Sequence, residues 1–192
     1  MSRTSHLERT TKETSIILDL NLDEAWQPDI KLGLPFFEHI LGSMAFHGGF
    51  GLNIKGSGDL DVDPHHLVED VGLVFGQALL SAFSDIPVAR FGHAVIPMDD
   101  ALSEVTLDFC RRPFLVYRAN FTQDRSGNFD MTLLREFFQA LANKAEANLH
   151  LECRYGQNAH HMSESLFKAL GKAVFQASRI AQNGVQSTKG TL

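Results

Sequence analysis

The sequence predicts an α+β fold in which two similar β/α halves, about 1–90 and 91–192, form a single domain. Three observations predict it. A His-His motif occurs twice, helical and strand-like patterns follow one order around both copies, and the composition is that of an ordinary globular protein. Hydrophobic residues make up 44% of the 192 residues and charged residues 21%, so the chain can bury a sizeable core. Because no low-complexity linker separates the halves, we expect that they cannot fold apart.

The duplication is visible in two histidine pairs that lie half a chain apart. Residues 63–70 read DPHHLVED and residues 158–165 read NAHHMSES. Each copy contains HHxxE and leads into an apolar helical pattern. Upstream, residues 38–45 align with 135–142, and without a gap 52–54 then fall on 149–151. A repeat this long indicates a duplicated unit, since solenoid repeats run to only about 20–50 residues.

Each half is predicted to run strand, helix, strand, short loop and a second helix that opens with the His pair. Alternating apolar residues predict strands at 15–20 and 104–109, the second extended by 114–117. At the His-pair helices, we expect Asp63 to be an N-cap with Pro64 at the first helical position, and Asn158 to be the other N-cap. Turns are predicted at 56–59 and 126–128.

The charge balance and the apolar pattern exclude several classes of function. Seventeen Lys and Arg against 23 Asp and Glu give a net charge of −6, which argues against a nucleic-acid or anionic-membrane partner. No apolar run approaches the roughly 18 residues of a membrane span, and the first residues lack the apolar region of a secretory signal. Two cysteines are too few for a disulfide framework, and reduced thiols in a cytoplasm are the simplest account.

The HHxxE spacing predicts metal ligands that point in two directions. His65 with Glu69, and His160 with Glu164, are i,i+4 pairs, which lie about 5–6 Å apart at Cβ on one helix face. The second histidine of each pair, His66 or His161, points about a third of a turn away, so one helix can serve two ions. Imidazole combined with carboxylate favours Mn or Fe over Cu. A single pair is most often a solvated face, but two copies at equivalent positions favour metal binding.

The repeat also nominates ligands outside the pairs. His39 aligns with Glu136, and both residue types can bind a metal. Each ion would then receive a member of a His pair, a glutamate and one of these two residues. His47 precedes two glycines, where a polar side chain can face a cleft. For the other histidines, residues 6, 93 and 150, an ordinary surface or strand role is favoured.

Five segments together resemble the imidazoleglycerol-phosphate dehydratases. They are PFFEHILGSMAFHGGF (35–50), GDLDVDPHHLVEDVGLVFGQAL (58–79), RFGHAVIPMDDAL (90–102), LHLECRYGQNAHHMSESLFKAL (149–170) and STKG (187–190). The resemblance runs in order from about Arg9 to the C-terminus. It implies a pseudo-twofold fold in which helices pack between four-stranded sheets.

The resemblance also implies an activity, a cofactor and an assembly. Members of the family dehydrate D-erythro-imidazole glycerol phosphate to imidazole acetol phosphate in L-histidine biosynthesis, with two manganese ions per subunit. We therefore expect a cytoplasmic carbon-oxygen lyase with a small phosphorylated imidazole substrate. Its subunits are expected to associate through trimers into a 24-mer, with sites formed between subunits.

Site residues carry over from the family position by position. The implied metal ligands are His39, His65, His66, Glu69, His160, His161 and Glu164. The implied substrate-binding residues are Glu13, His47, Arg90, Arg112, Lys168, Ser187, Thr188 and Lys189. Asp99 matches a carboxylate near the reacting groups, Glu13 is the expected acid/base, and Glu164 can share that role. Glu136 replaces a histidine ligand of other members, so its role as a ligand stays open.

Two alternatives remain open on the sequence alone. One is a metal-storing or scaffold oligomer without catalysis, although such a protein would not need Glu13, Arg90, Arg112 and Lys189. The other is a metal-dependent hydrolase, which would keep an open position for water at the metal.

Where many family members have Asp-Gln, this chain has Gly42 and Ser43.

Overall fold

The computed structural model describes residues 2–83, 86–182, 184 and 186–189. Within these ranges, no helix has both the length and the apolar character needed to cross a membrane.

The first half forms a four-stranded mixed sheet and two helices. Its elements are β1 (Thr4–Thr10), β2 (Thr14–Asn21), β3 (Asp29–Lys31), α1 (Pro35–Gly48), β4 (Gly51–Gly58) and α2 (His65–Ala82). The strand order is β1-β2-β4-β3. The first two pairings are antiparallel, and β3 runs parallel to β4.

The second half repeats this topology with one insertion. Its elements are β5 (Phe91–Met98), β6 (Ala101–Asp108), β7 (Phe114–Arg118), β8 (Arg125–Ser126), β9 (Phe129–Asp130), α3 (Leu133–Lys144), β10 (Asn148–Tyr155) and α4 (Ala159–Ala177). The sheet order is β5-β6-β10-β7, again with a parallel final pair. The hairpin β8–β9 has no counterpart among the described residues of the first half. The predicted α+β fold of two duplicated halves is confirmed.

The helices pack between the sheets and pair across the halves. Helix α1 lies against α4, and α2 lies against α3. Two equivalent glycines permit these close approaches. A Cβ atom added at Gly171 would meet the Met44 carbonyl oxygen at 2.1 Å, and one added at Gly76 would meet that of Leu141 at 2.6 Å. One hydrophobic core, which includes the fully buried rings of Phe37, Phe137 and Phe167, therefore belongs to both halves.

Three local expectations were wrong. Residues 56–58 are the end of β4 rather than a turn, and a Cβ at Gly56 would meet Leu32 Cδ2 at 3.0 Å, so the glycine serves close packing. Residues 114–117 do not extend the preceding strand, because the chain leaves the sheet at Asp108 and returns as β7 beside β10. Helix α2 begins at His65, one residue later than expected, and Asp63 Oδ1 accepts a hydrogen bond from the His65 N–H at 2.7 Å. The N-cap at Asn158 is as predicted.

Candidate metal centre

A three-residue ligand cluster forms where α1 meets α4. His39 Nε2 and His160 Nε2 lie 3.2 and 3.1 Å from Glu164 Oε2, and the three ligand atoms all lie within 4.8 Å of one another. Among the residues that the structure describes, this is the one such group of three or more His, Cys, Asp or Glu. Two imidazoles and a carboxylate are a donor set that suits a divalent first-row metal. The cluster takes one ligand from the first half and two from the second.

The carboxylate of this cluster is held ionised in a buried position. The Glu164 side chain is only 9% exposed, and its Oε1 accepts hydrogen bonds from Lys168 Nζ at 3.0 Å and Ser43 Oγ at 3.3 Å. Burial by itself would raise the pKa of Glu164. The hydrogen bonds from Lys168 and His39 outweigh this effect and lower the pKa to about 2. The group is therefore an anionic ligand at neutral pH.

The second histidine of each pair is anchored through Nδ1 by an aspartate. His66 Nδ1 lies 3.0 Å from Asp59 Oδ2, and His161 Nδ1 lies 2.6 Å from Asp100 Oδ1. An ionised carboxylate can only accept, so Nδ1 carries a proton, and in the neutral imidazole the free lone pair is then on Nε2. The aspartate raises the pKa of His66. Hydrogen bonds from His161 and the backbone hold the pKa of Asp100 far below its usual range.

Both pairs keep the same internal geometry, which supports the predicted ligands in two directions. The ring centroids of His65 and His66 are 5.9 Å apart with an interplanar angle of 89°, and those of His160 and His161 are 6.1 Å apart at 80°. Adjacent imidazoles on one helix thus face nearly perpendicular directions.

The first-half counterpart of the cluster is not assembled within this chain. Its members by the repeat are His65, Glu69 and Glu136, all half-buried. Glu136 Oε1 instead lies 3.7 Å from Arg135 NH1 and lines a groove beside Tyr117. The role of Glu136 as a metal ligand therefore stays a prediction.

The expected acid/base and substrate residues lie around the two His-pair helices. Glu13, on the turn between β1 and β2, has its Oε2 3.9 Å from His66 Nδ1. Asp99 Oδ2 lies 3.4 Å from His161 Nε2. His47 shares an open groove with His39 and Ser43. Burial, assisted by the positive charges of Lys168 and Lys172, lowers the pKa of His47.

The remaining cations meet at the opposite end of α4. The Arg90 guanidinium donates to both carboxylate oxygens of Asp108, at 2.6 and 3.0 Å, and to the Gln186 carbonyl at 2.8 Å, directly before residues 187–189. The Arg112 side chain donates to the Cys110 carbonyl at 3.1 Å, close to this point. Ser187, Thr188 and Lys189 lie in the described segment, and Gly190 lies outside it.

The two groups are too far apart to share a small substrate within one chain. The backbone N–H of Arg90 donates to the Ala177 carbonyl, at the last residue of α4, whereas His160 and Glu164 lie in its first two turns. At 1.5 Å per residue, the cluster and this cation group are separated by roughly 20 Å along the helix. Lys168 is the exception, because it contacts Glu164 directly.

Sequence reasoning missed three polar residues at the site: Asp59, Asp100 and Ser43. Asp59 lay within a predicted turn, Asp100 was passed over in favour of its neighbour Asp99, and Ser43 was noted only as a departure from the family. Asp59 and Asp100 could have been found from the sequence as acidic residues at strand ends close to the two His pairs, because metal-binding histidines commonly donate to a carboxylate.

Comparison with known proteins places the chain in a family. Residues 32–174 match the family model described as imidazoleglycerol-phosphate dehydratase. The curated enzyme of that name from Streptococcus thermophilus is 49% identical over 193 residues, covering 99% of this chain and 100% of the relative. That of Geobacter sulfurreducens is 45% identical over 195 residues and covers all of both chains.

Solved structures agree with the sequence comparison. The crystal structure of the enzyme from Pyrococcus furiosus superposes with a TM-score of 0.85 at 38% identity, covering 97% of this chain and 100% of that one. The Staphylococcus aureus enzyme gives 0.84 at 34% identity, over 93% and 99%. With its repeated sheets and its cluster between α1 and α4, the chain belongs to the imidazoleglycerol-phosphate dehydratase family, a family of hydro-lyases.

Proposed function

We propose that this protein is a manganese-dependent lyase of L-histidine biosynthesis. It converts D-erythro-imidazole glycerol phosphate to imidazole acetol phosphate and water. The observation that carries the proposal is the cluster of His39, His160 and Glu164, in which a buried anionic carboxylate and two imidazole nitrogens converge. Full-length similarity to enzymes of this name supports the choice of substrate.

The donor chemistry fits two ions per subunit. The first is assigned to His39, His160 and Glu164, whose ligand atoms already lie together. The remaining candidates, His65, His66, Glu69, His161 and the open candidate Glu136, supply the rest of the two ligand sets. When bound, a divalent ion acts as a Lewis acid that withdraws charge from the substrate's imidazole ring.

The reaction removes a hydroxyl group and a proton from neighbouring carbons. The hydroxyl departs from the carbon attached to the ring, and the proton leaves the next carbon, so that water and an enol form and the enol becomes the ketone. We assign the proton transfer to Glu13, whose side chain is 57% exposed and can reach a bound substrate. Asp99 lies at the equivalent hairpin of the second half and is assigned to the same group of reacting residues, with Glu164 able to share proton transfer.

Phosphate recognition is assigned to the cation group and to Lys168. Arg90 has its guanidinium plane fixed by Asp108, which prepares it for an oxygen ligand in a defined direction. Arg112, Ser187, Thr188 and Lys189 supply further donors. Because roughly 20 Å separates this group from the cluster along α4, the cations of one subunit are expected to serve the metal site of another. This requirement supports sites that are shared between subunits, and we propose that the subunits associate through trimers into a 24-mer, with His47 beside the shared substrate.

Activity and metal content together test the proposal. We expect purified protein to hold about two Mn per chain and to turn over imidazole glycerol phosphate, and a chelator should abolish the turnover. A folded, manganese-loaded protein without turnover would support the metal-storing oligomer instead. Release of inorganic phosphate in place of the ketone would support the hydrolase.

A substitution separates catalysis from metal storage. Glu13→Gln should lower turnover by about 10²–10⁴-fold with manganese content unchanged, the range for loss of an acid/base group. Glu8→Gln, at an exposed carboxylate on β1, is the matched control and should retain turnover. Equal loss of metal and turnover in Glu13→Gln would show that Glu13 is structural.

A further inference from the structure

The first hairpin of each half has the same register, so its turn residues can be paired. Thr4 pairs with Asn21 in the first half, and Phe91 pairs with Asp108 in the second. Each residue of the second pair lies 87 positions after its counterpart in the first. The same displacement places Glu13 opposite Asp100 as the second turn residue of its hairpin. Both turns face the second histidine of a pair. The catalytic candidate Glu13 and the anchor of His161 therefore occupy one position of the duplicated fold.

In the second half the acidic turn residue, Asp100, is hydrogen-bonded to His161. Asp100 accepts from His161 Nδ1 at 2.6 Å and also from the backbone N–H groups of Gln157 and Asn158. No other side chain can take its place from the neighbouring strand end. The residue directly after β10 is Gly156, where a Cβ atom would meet Met162 Cγ at 2.5 Å.

In the first half the anchoring role lies on a different strand end. The residue directly after β4 is Asp59, and its carboxylate lies 3.0 and 3.2 Å from His66 Nδ1. Its backbone N–H donates to the Glu13 carbonyl at 3.1 Å, which holds the two turns together. The Glu13 carboxylate lies farther from the same nitrogen, at 3.9 Å, and is 57% exposed.

We infer that Asp59 and Asp100 are positioning residues that fix the protonated Nδ1 of His66 and His161 and leave each Nε2 to bind metal. We infer further that Asp59, by taking this role, releases Glu13 from the position that Asp100 fills in the second half. Of the two equivalent turn residues, Asp100 therefore holds a histidine, whereas Glu13 remains available for proton transfer. The second statement rests on the proposed function.

The test measures manganese binding and turnover in the same set of variants. The dissociation constant for Mn²⁺ is read from the electron paramagnetic resonance signal of the free ion, and kcat is measured at saturating Mn²⁺. Asp100→Ala should weaken binding at one site by about 10–100-fold, the usual effect of removing an outer carboxylate from a metal-bound histidine. Asp61→Ala, at an exposed carboxylate in the loop of Asp59, is the control and should change neither quantity.

The first-half variants should behave differently from Asp100→Ala. In Asp59→Ala, Glu13 can move onto the vacated nitrogen, so Mn²⁺ affinity is largely kept while kcat falls by at least about 10²-fold. Asp59→Ala combined with Glu13→Ala should then lose affinity as Asp100→Ala does. Asp100→Asn keeps one oxygen acceptor, which can serve either His161 or the backbone N–H groups of Gln157 and Asn158 but not both. It should therefore bind Mn²⁺ with an affinity between those of the wild type and Asp100→Ala.

Two outcomes would overturn the inference. One is an unchanged Mn²⁺ dissociation constant in both Asp100 variants. The other is a result in which Asp59→Ala weakens Mn²⁺ binding as much as Asp100→Ala does, while its kcat at saturating Mn²⁺ equals that of the wild type. Failure of the proposed function would look different, since the wild type would then bind Mn²⁺ without any turnover while the Asp100 effect on binding persisted.

Discussion

The contact between α1 and α4 at Gly171 sets the geometry of the metal cluster. A Cβ atom added there would lie 2.1 Å from the Met44 carbonyl oxygen, whereas ordinary contacts begin near 3.4 Å. In Gly171→Ala the two helices must separate by roughly 1 Å. Overpacking of this kind costs about 1–3 kcal/mol, and the better helix propensity of alanine returns about 1 kcal/mol. These two terms leave a net loss of about 0–2 kcal/mol, and we expect the upper half of that range, about 1–2 kcal/mol, because the added Cβ meets a backbone carbonyl that cannot rotate away.

Thermal unfolding with chelator present and a Mn²⁺ titration together measure the effect. For a chain of this size, the loss corresponds to a melting temperature lower by about 2–8 °C. Mn²⁺ should also bind more weakly, since His39 moves with α1 while His160 and Glu164 stay on α4. Gly42→Ala, on the partner helix α1 with no atom within 4 Å of its added Cβ, is the control, and its free energy of unfolding should rise by about 0.5–1 kcal/mol. A Gly171→Ala protein that melts at or above the wild-type temperature with unchanged Mn²⁺ affinity would refute the reasoning.

Further predictions concern single polar groups. Tyr117 has the one buried side-chain N or O atom without a hydrogen-bond partner in the described part of the chain, so Tyr117→Phe should raise the free energy of unfolding by about 1 kcal/mol, measured by urea denaturation. Thr14→Val should instead lower it by about 1–3 kcal/mol, because the buried Thr14 hydroxyl donates to Asp70. His39→Ala should weaken Mn²⁺ binding at the cluster without loss of the fold, as seen by metal analysis and circular dichroism. Hydrogen bonds from the Arg3 backbone and guanidinium lower the pKa of Asp23, so its ionised form stabilises the native state above the ordinary pKa near 3.8. The stability difference between the wild type and Asp23→Asn should be full at pH 7 and should be lost progressively as the pH falls from 3.8 through the lowered pKa of the folded state.

The fold was predictable where the repeat is long and periodic. The two HHxxE helices and the helix before each pair follow from patterns that recur in both halves. Strands β1, β3 and β5 did not stand out, because each is short or mixes polar and apolar residues at an exposed edge. Gly56 was taken for a turn residue because sequence cannot distinguish a glycine that bends the chain from one that admits a neighbouring side chain.

The site was predictable to the level of ligands but not of their partners. The i,i+4 spacing within each HHxxE motif is a local property, and the structure places His160 and Glu164 as that spacing requires. The approach of His39 depends on how α1 packs against α4, and it was indicated by alignment of the chain with itself and by the family resemblance rather than by local spacing. Asp59 and Asp100 reach their histidines from strand ends that differ between the halves, so the repeat could not reveal them.

Pairing of the helices across the halves has a consequence for folding. His39 and Glu164 are 125 residues apart in the chain, and their approach requires both sheets and the α1–α4 contact. Contacts between such distant residues form late, because the entropy of closing a long loop must be offset first. A chain in which only one half has folded therefore offers no complete ligand cluster. Manganese at this cluster would stabilise only a chain whose two halves have packed together, so the appearance of metal binding during refolding would mark the last step of folding.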